Sequence, residues 1–271
     1  MTSRFTSQTV LITGASLGVG RTAAQAFHAE GANVVMVARR IEPLRAAAEG
    51  LSRAHCIAAD VADTGALRRM VDECIERFGA LDGVVNNAGL HHRGPLEKNE
   101  AQALGDMVDV NLRAPVVLTR LALPHLLARR GFVVNVASLA GKVPLDGAAT
   151  YSATKFGLRA FSLAVAQEVA DRGVRVSLVS PGPVDTGFIM EEIDRVEDIV
   201  FSQAMCTADD VARMILDCAE DGRAERQFPE AGGRLATLGY LLPGLRRWLK
   251  PMLSARGRAV KDRLRAARGA R

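Results

Sequence analysis

The sequence predicts an α/β protein built on a doubly wound parallel sheet, with helices on both faces in three layers. Three observations carry that reading. Short, nearly continuous runs of Val, Ile and other apolar residues recur along the chain, which is how strands buried on both faces read. Ala- and Leu-rich stretches with helical spacing lie between them. The alternation persists from residue 8 to about residue 220 with no internal repeat, and alternating β and α implies parallel strands joined by right-handed crossovers.

The expected strands are TVLIT (9–13), NVVMVA (33–38), HCIAAD (55–60), GVVNNA (83–88), FVVNVA (132–137) and VRVSLVS (174–180). The first helical stretch, 21–31, closes on Gly31 in the manner of a C-terminal cap. After Pro181 the pattern loosens. Residues 182–206 mix Gly, Pro, apolar and acidic residues, which predicts a lid of loop and short helices. A new helix begins with Thr207 as its N-cap and Asp210 three residues on. RQF (226–228) is the candidate last strand. Residues 1–232 are therefore expected to form one domain and residues 233–271 a basic, amphipathic C-terminal extension.

Composition narrows the function classes. A chain of 271 residues, 48% hydrophobic and 24% charged, can bury a sizeable core. It has no apolar run long enough to span a bilayer and no secretory signal pattern at its start. Its four cysteines are scattered without a CxxC, which reads as reduced thiols in a cytoplasmic protein, and no metal-ligand spacing is present. The whole-chain charge of +5 is uneven: residues 246–271 hold ten Lys or Arg and one Asp, a local +9, which leaves residues 1–245 at −4. The basicity belongs to the tail, so it does not mark a nucleic-acid-binding domain.

The first strand runs into TGASLGVG and then into a helix. Gly14, Gly18 and Gly20 permit a tight turn and close backbone approach to a phosphate, and the helix N-terminus offers free N–H groups to a pyrophosphate. The second strand ends in Ala38, Arg39 and Arg40. A carboxylate there would hold the 2′-hydroxyl of NAD; paired guanidiniums suit a 2′-phosphate instead. NADP(H) is therefore expected over NAD(H), a solvated surface pair of Arg being the other reading.

TYSATK sets Tyr151 four residues before Lys155, one of only five Lys among 35 basic residues. Residues i and i+4 share a helix face. A phenol has an ordinary pKa of about 10, and a nearby ammonium is expected to lower it, making Tyr151 a usable general acid and base. Ser138 sits just past a strand, where its hydroxyl can hold a substrate oxygen. Singly, Tyr151 also reads as a core aromatic, Ser138 as a helix cap and Asn111 as a turn former.

Taken together, these residues resemble the short-chain dehydrogenase/reductase family over roughly residues 6–220. TGASLGVG resembles its glycine motif, NNAG (86–89) its motif after the fourth strand, Asn111 in VDVNL its helix Asn, Ser138 its Ser, and YSATK its Tyr-xxx-Lys. VSPGPVDT (179–186) resembles the segment flanking the nicotinamide. The resemblance implies a Rossmann-type fold and catalytic roles for Ser138, Tyr151, Lys155 and Asn111. In these roles Lys155 also bonds the nicotinamide ribose, and Asn111 helps hold a proton-relay water. It implies cofactor contacts at Gly14, Ser16, Gly18, Val19, Gly20, Asp60, Val61, Asn87, Ala88, Gly89, Tyr151, Lys155, Pro181, Gly182, Val184 and Thr186, beside Arg39 and Arg40. A homodimer or homotetramer is the family's usual state. A 3-oxoacyl thioester reductase is the alternative enzyme, with Arg93, Arg113 or Arg159 as candidate mouth cations. A non-catalytic NADP(H)-binding scaffold is the alternative of another class. His91 and His92, in LHHRGP, line the substrate mouth or, the favoured reading, are solvated.

The tail departs from the family pattern. Leu235, Leu238, Leu242, Leu245, Trp248, Leu249, Met252 and Leu253 recur at three- and four-residue steps, with Arg246, Arg247 and Lys250 off the stripe. Pro243 and Pro251 are expected to break it into short helices. Two readings stay open. The stripe packs on the enzyme as a lid or subunit contact, which is slightly favoured, or it lies on an anionic membrane face, placing the protein peripherally at the inner membrane. Either suits a hydrophobic carbonyl or alcohol, such as a lipid-, steroid- or polyketide-like substrate.

Overall fold

The computed structural model describes residues 3–269, with the side chains beyond residue 266 left undescribed. In chain order the elements are β1 (Thr9–Thr13), α1 (Gly18–Ala29), β2 (Asn33–Ala38), α2 (Ile41–Ala47), β3 (Ala54–Ala58), α3 (Thr64–Phe78), β4 (Gly83–Asn86), α4 (Ala101–Val108), α5 (Ala114–Arg129), β5 (Phe132–Val136), α6 (Ala149–Val169), β6 (Arg175–Pro181), α7 (Gly187–Met190), α8 (Ala208–Asp221), β7 (Glu225–Phe228), α9 (Glu230–Leu241) and α10 (Pro243–Gly269). The seven strands form one parallel sheet in the order β3-β2-β1-β4-β5-β6-β7. The order reverses between β1 and β4, and ligands of such sheets bind outside the strand ends at that switch.

The core lies on both faces of the sheet, as the uninterrupted apolar runs require. One face packs Val10, Ile12, Val34, Met36 and Phe132 against α1 and α8. The other packs Leu11, Val35, Val84 and Val133 against α3 and α5. A buried polar chain crosses the centre. Asn86 on β4 donates to Asn135 on β5 (2.7 Å), and Asn135 donates to the Ser162 hydroxyl on α6 (2.8 Å). Paired in this way, buried amides hold the helix in one phase against the sheet. The Thr207–Asp210 capping box starts α8 as expected.

Residues 182–206 form the expected loop with short helices, but the tail differs from expectation. Pro243 opens α10 and Pro251 lies inside it, so one helix runs through both. Pro251 removes only the N–H that would meet the Arg247 carbonyl, and both residues are solvent-exposed, so water can satisfy that carbonyl. The inner face of α10 straps the 182–206 lid. Lys261 is buried and donates to the Val196 carbonyl (2.6 Å) and to Asp198 (3.3 Å), Arg258 pairs with Asp198 (3.0 Å), and Arg265 pairs with Asp194 (2.6 Å). Lys250 and Arg246 hold Asp146 on the opposite rim. A Cβ on Gly257 would fall 1.8 Å from the Asp198 carbonyl oxygen, so the helix seats directly on the lid backbone. Five tail cations are thus spent on carboxylates of the catalytic domain.

Lys261→Ala would leave the Val196 carbonyl and Asp198 without their buried cation. The expected loss is about 3 kcal/mol of unfolding free energy in urea titration. A loss below about 0.5 kcal/mol, the range of an ordinary surface substitution, would show that the strap is not anchored there.

Candidate active site

The glycine turn between β1 and α1 is the floor of the site. Gly14 has φ +67°, and a Cβ on Gly20 would lie 2.2 Å from the Gly14 carbonyl oxygen and 2.4 Å from Asn87 Nδ2. Neither position accepts a side chain. Asn87, just past β4, fixes the turn from the other side. Its Nδ2 donates to the carbonyls of Thr13 (3.0 Å) and Gly14 (3.2 Å), while the Asn87 and Ala88 N–H groups donate to the Thr13 hydroxyl (3.1 Å each). Leu17, the N-cap of α1, makes no side-chain cap and the first turn carries no acid, so its N–H groups stay available to an anion.

A cavity of about 460 Å³ opens above this turn at the strand ends. Of the expected cofactor residues, Gly14, Ser16, Gly18, Val19, Arg39, Asp60, Val61, Asn87, Ala88 and Gly89 line it, as do Tyr151, Lys155, Pro181, Gly182, Val184 and Thr186. Gly20 lies beneath the turn and contributes only close packing. Arg40 does not line the cavity: it is the exposed N-cap of α2, one residue beyond where the strand direction aims Arg39.

Tyr151 and Lys155 stand in the first two turns of α6, one turn apart, with Ser138 opposite them just beyond β5. Lys155 is buried (4% exposed) and donates from Nζ to the Val136 carbonyl at 2.8 Å. Burial lowers its pKa to about 8. Its Nζ lies 5.7 Å from the centre of the Tyr151 ring. The sequence-level expectation that this ammonium lowers the phenol's pKa needs correction. The Tyr151 pKa is raised, because burial of the phenol outweighs the hydrogen bond from Ser138 and the charge of Arg93, both of which pull it down. The phenol is therefore held in its neutral, proton-donating form.

Asn111 does not line the cavity but stands directly behind two residues that do, Gly89 and Leu90. It sits in the wide π-type turn Asp109–Arg113 between α4 and α5, fully buried. Its Oδ1 accepts from the Leu90 N–H (2.7 Å) and its Nδ2 donates to the Leu90 carbonyl (2.8 Å) and to Thr154 (3.4 Å). In the described structure Asn111 clamps the segment after β4.

That segment carries His91 and Arg93, which the sequence offered at the substrate mouth only as the less favoured readings. The His91 ring stacks on Tyr151, with centroids 3.9 Å apart and planes 10° from parallel. Desolvation, with Arg93, Lys155 and His92 nearby, lowers its pKa to about 3, so the imidazole is neutral. The solvated reading of His91 is thus overturned, whereas His92 is exposed. The Arg93 side chain is 7% exposed and donates from Nε to Glu192 (3.2 Å) and from Nη2 to the Phe188 carbonyl (3.0 Å). Two residues past an NNAG segment, no periodicity reports which way a side chain faces. Arg113 and Arg159 are tied to Asp109 and Glu225, and neither lines the cavity. No group of three or more potential metal ligands occurs among the described residues.

Residues 8–197 match the short chain dehydrogenase family. The chain belongs to that family. It is 39% identical to the L-fucose dehydrogenase of Mus musculus over 185 residues, covering 68% of each chain. It is 35% identical to the serine 3-dehydrogenase of Agrobacterium fabrum (strain C58 / ATCC 33970) over 215 residues, 77% of this chain and 86% of the relative. A solved metagenomic short-chain oxidoreductase in complex with NADP superposes with a TM-score of 0.71 at 30% identity, over 83% of this chain and 98% of that one. The protein is an NAD(P)-dependent oxidoreductase of the short-chain dehydrogenase family. The family match ends at residue 197, within the 182–206 segment, so α9 and the strap helix α10 lie outside it.

The depressed Lys155 pKa has a signed consequence. Between pH 8 and 10.5 the unfolded chain keeps a proton that the folded chain has lost. Stability then rises with pH in that window. Urea titrations of wild type and Lys155→Met from pH 7 to 10.5 should show wild type gaining on the variant above pH 8. Parallel curves would mean that Lys155 titrates as it does in water.

Proposed function

We propose that the protein transfers hydride between NADP(H) and the carbonyl or secondary alcohol of a largely apolar substrate. The observation that carries this reading is Tyr151, its phenol kept neutral and hydrogen-bonded to Ser138, beside a buried Lys155 in the wall of a cavity that begins at a glycine turn.

The residues present fit the cofactor. The N–H groups at the start of α1, which no side chain caps, suit a pyrophosphate, and Arg39 at the end of β2 suits a 2′-phosphate. An ammonium has three donors, and Lys155 spends one on Val136, which leaves two for ribose hydroxyls. When bound, NADPH supplies the hydride and leaves as NADP+. Ser138 holds the substrate oxygen. Tyr151 gives its proton to that oxygen, and alcohol oxidation runs the same transfer in reverse with Tyr151 as the base. Lys155, anchored on Val136, fixes the face of α6 that presents Tyr151.

Apolar residues close the far side of the cavity. Leu235, Leu249 and Leu253 of the strap helices line it, with Phe188 and Ile189 of the lid. This supports a hydrophobic substrate. The thioester alternative gains no support, since Arg93 is the one proposed mouth cation that lines the cavity and Glu192 already neutralises it.

The outer face of the strap supports a peripheral membrane position. Trp248 (76% exposed), Met252, Arg256 and Arg263 follow one another at four-, four- and seven-residue steps, so apolar and basic side chains share one stripe, as an anionic bilayer surface favours. Leu241 and Leu242 lie exposed at the preceding corner. No helix among the described residues is long and apolar enough to cross a membrane.

Two measurements test this reading. Tyr151→Phe should bind NADPH as wild type does and lose ketone-dependent NADPH oxidation by on the order of 10²–10⁴-fold; retained turnover would remove Tyr151 from the chemistry. Arg39→Asp should move the kcat/KM ratio from NADPH toward NADH, and an unchanged ratio would mean that Arg39 does not read the 2′-phosphate. For the membrane position, phosphatidylserine vesicles should sediment wild type but not Trp248→Glu. Equal sedimentation, or a dimer lost in the variant, would assign the face elsewhere.

A further inference from the structure

Among the described residues, two buried side-chain polar atoms lack a hydrogen-bond partner, His91 Nε2 and Gln203 Oε1. Both residues line the substrate cavity. Gln203 Oε1 sits between Gly182 and Gly232, on the β6 side. His91 lies flat on the proton-donating Tyr151, so its edge is within one ring's width of the phenol. A buried polar atom left without a partner in the chain calls for one from outside it, a ligand group or an ordered water.

Arg93 stands beside it with one donor to spare, on an atom that is not itself buried. Nε and Nη2 are committed to Glu192 and the Phe188 carbonyl, and Nη1 has no acceptor among the described residues. The two committed bonds tie Arg93 to the lid, and its guanidinium carbon stands over the Phe188 ring, 5.7 Å from the ring centre. Its charge reaches the Tyr151 phenol. Asn111 clamps Leu90, the residue before His91, so the segment is fixed at both ends. A buried imidazole edge and a tied guanidinium thus face a cavity whose lining elsewhere combines Leu235, Leu249 and Leu253 with Arg246 and Lys250, both already drawn to Asp146.

We propose that His91 and Arg93 form a polar subsite that binds an uncharged oxygen function on the carbon adjacent to the reacting carbonyl. The substrate class is then an apolar α-hydroxyketone or α-diketone, or a vicinal diol in the reverse direction. A hydroxyl can exchange a hydrogen bond with the neutral imidazole and accept one from Arg93; a keto oxygen can accept from both. A carboxylate is disfavoured, because Glu192 already neutralises Arg93 and His91 adds no charge. This inference rests on the carbonyl-reductase reading above and specifies its substrate.

The test is steady-state NADPH oxidation with four chain-matched probes: octan-2-one, 3-hydroxyoctan-2-one, octane-2,3-dione and 2-oxooctanoate. A site built to hydrogen-bond an oxygen discriminates against the analogue lacking it, so kcat/KM for the hydroxyketone and diketone should exceed that for octan-2-one by at least about tenfold. His91→Phe keeps the ring stack and removes the nitrogens; Arg93→Met keeps the stem and removes the donors. Each should cut that preference to within about threefold. An NADPH titration by fluorescence confirms that each variant is folded, and His91→Phe suffices if Arg93→Met is not. Equal rates for plain and oxygenated ketones, a preference that survives His91→Phe, or a preference for 2-oxooctanoate would each overturn the subsite and leave the reductase standing. No oxidation with any probe would overturn both.

Discussion

The hydrogen bond from Lys155 to the Val136 carbonyl is the constraint on which the site depends. It joins the end of β5 to the second turn of α6 and places a cation where burial resists it. An ammonium with one partner in the protein is stable there only if its other donors are met by something in the cavity, and ribose hydroxyls meet that need. The same bond sets the helix face that carries Tyr151. The Asn86–Asn135–Ser162 chain locks α6 against the sheet one layer deeper. The reacting groups thus stand on a helix and a strand end, while the lid and strap supply only the walls.

Those walls divide the cavity by chemistry. On one side the strap helices bring leucines, held by ion pairs at Asp146, Asp194 and Asp198. On the other, the segment after β4 brings a neutral imidazole and a tied guanidinium. The family motifs account for the cofactor half and the proton donor. On the proposed reading, substrate choice lies with residues outside the motifs, some of them on helices beyond the family match.

The strands were readable because burial on both faces leaves a local mark, an unbroken apolar run, and all six expected strands are present within one or two residues. The glycine turn and the Tyr151–Lys155 pair were readable because turn geometry and helix phase are local as well. Three features were not. The direction of His91 is set by Asn111, twenty residues away in sequence, gripping Leu90. The continuity of α10 through Pro251 depends on tertiary seating over Asp198, which outweighs one lost backbone bond. The sign of the Tyr151 shift depends on how deeply the surrounding fold buries the phenol, and a four-residue spacing carries no information about that.

The most direct test is thermal unfolding of the wild-type protein with NADPH, NADP+, NADH and NAD+ at equal concentration. A ligand that binds only the folded state raises stability by RT ln(1 + [L]/Kd). The account predicts a rise with all four that is larger for the NADP pair, because the glycine turn and Lys155 serve both cofactors and Arg39 serves one. No shift with any of the four would contradict it, leaving the Lys155 ammonium without the partner that its burial requires.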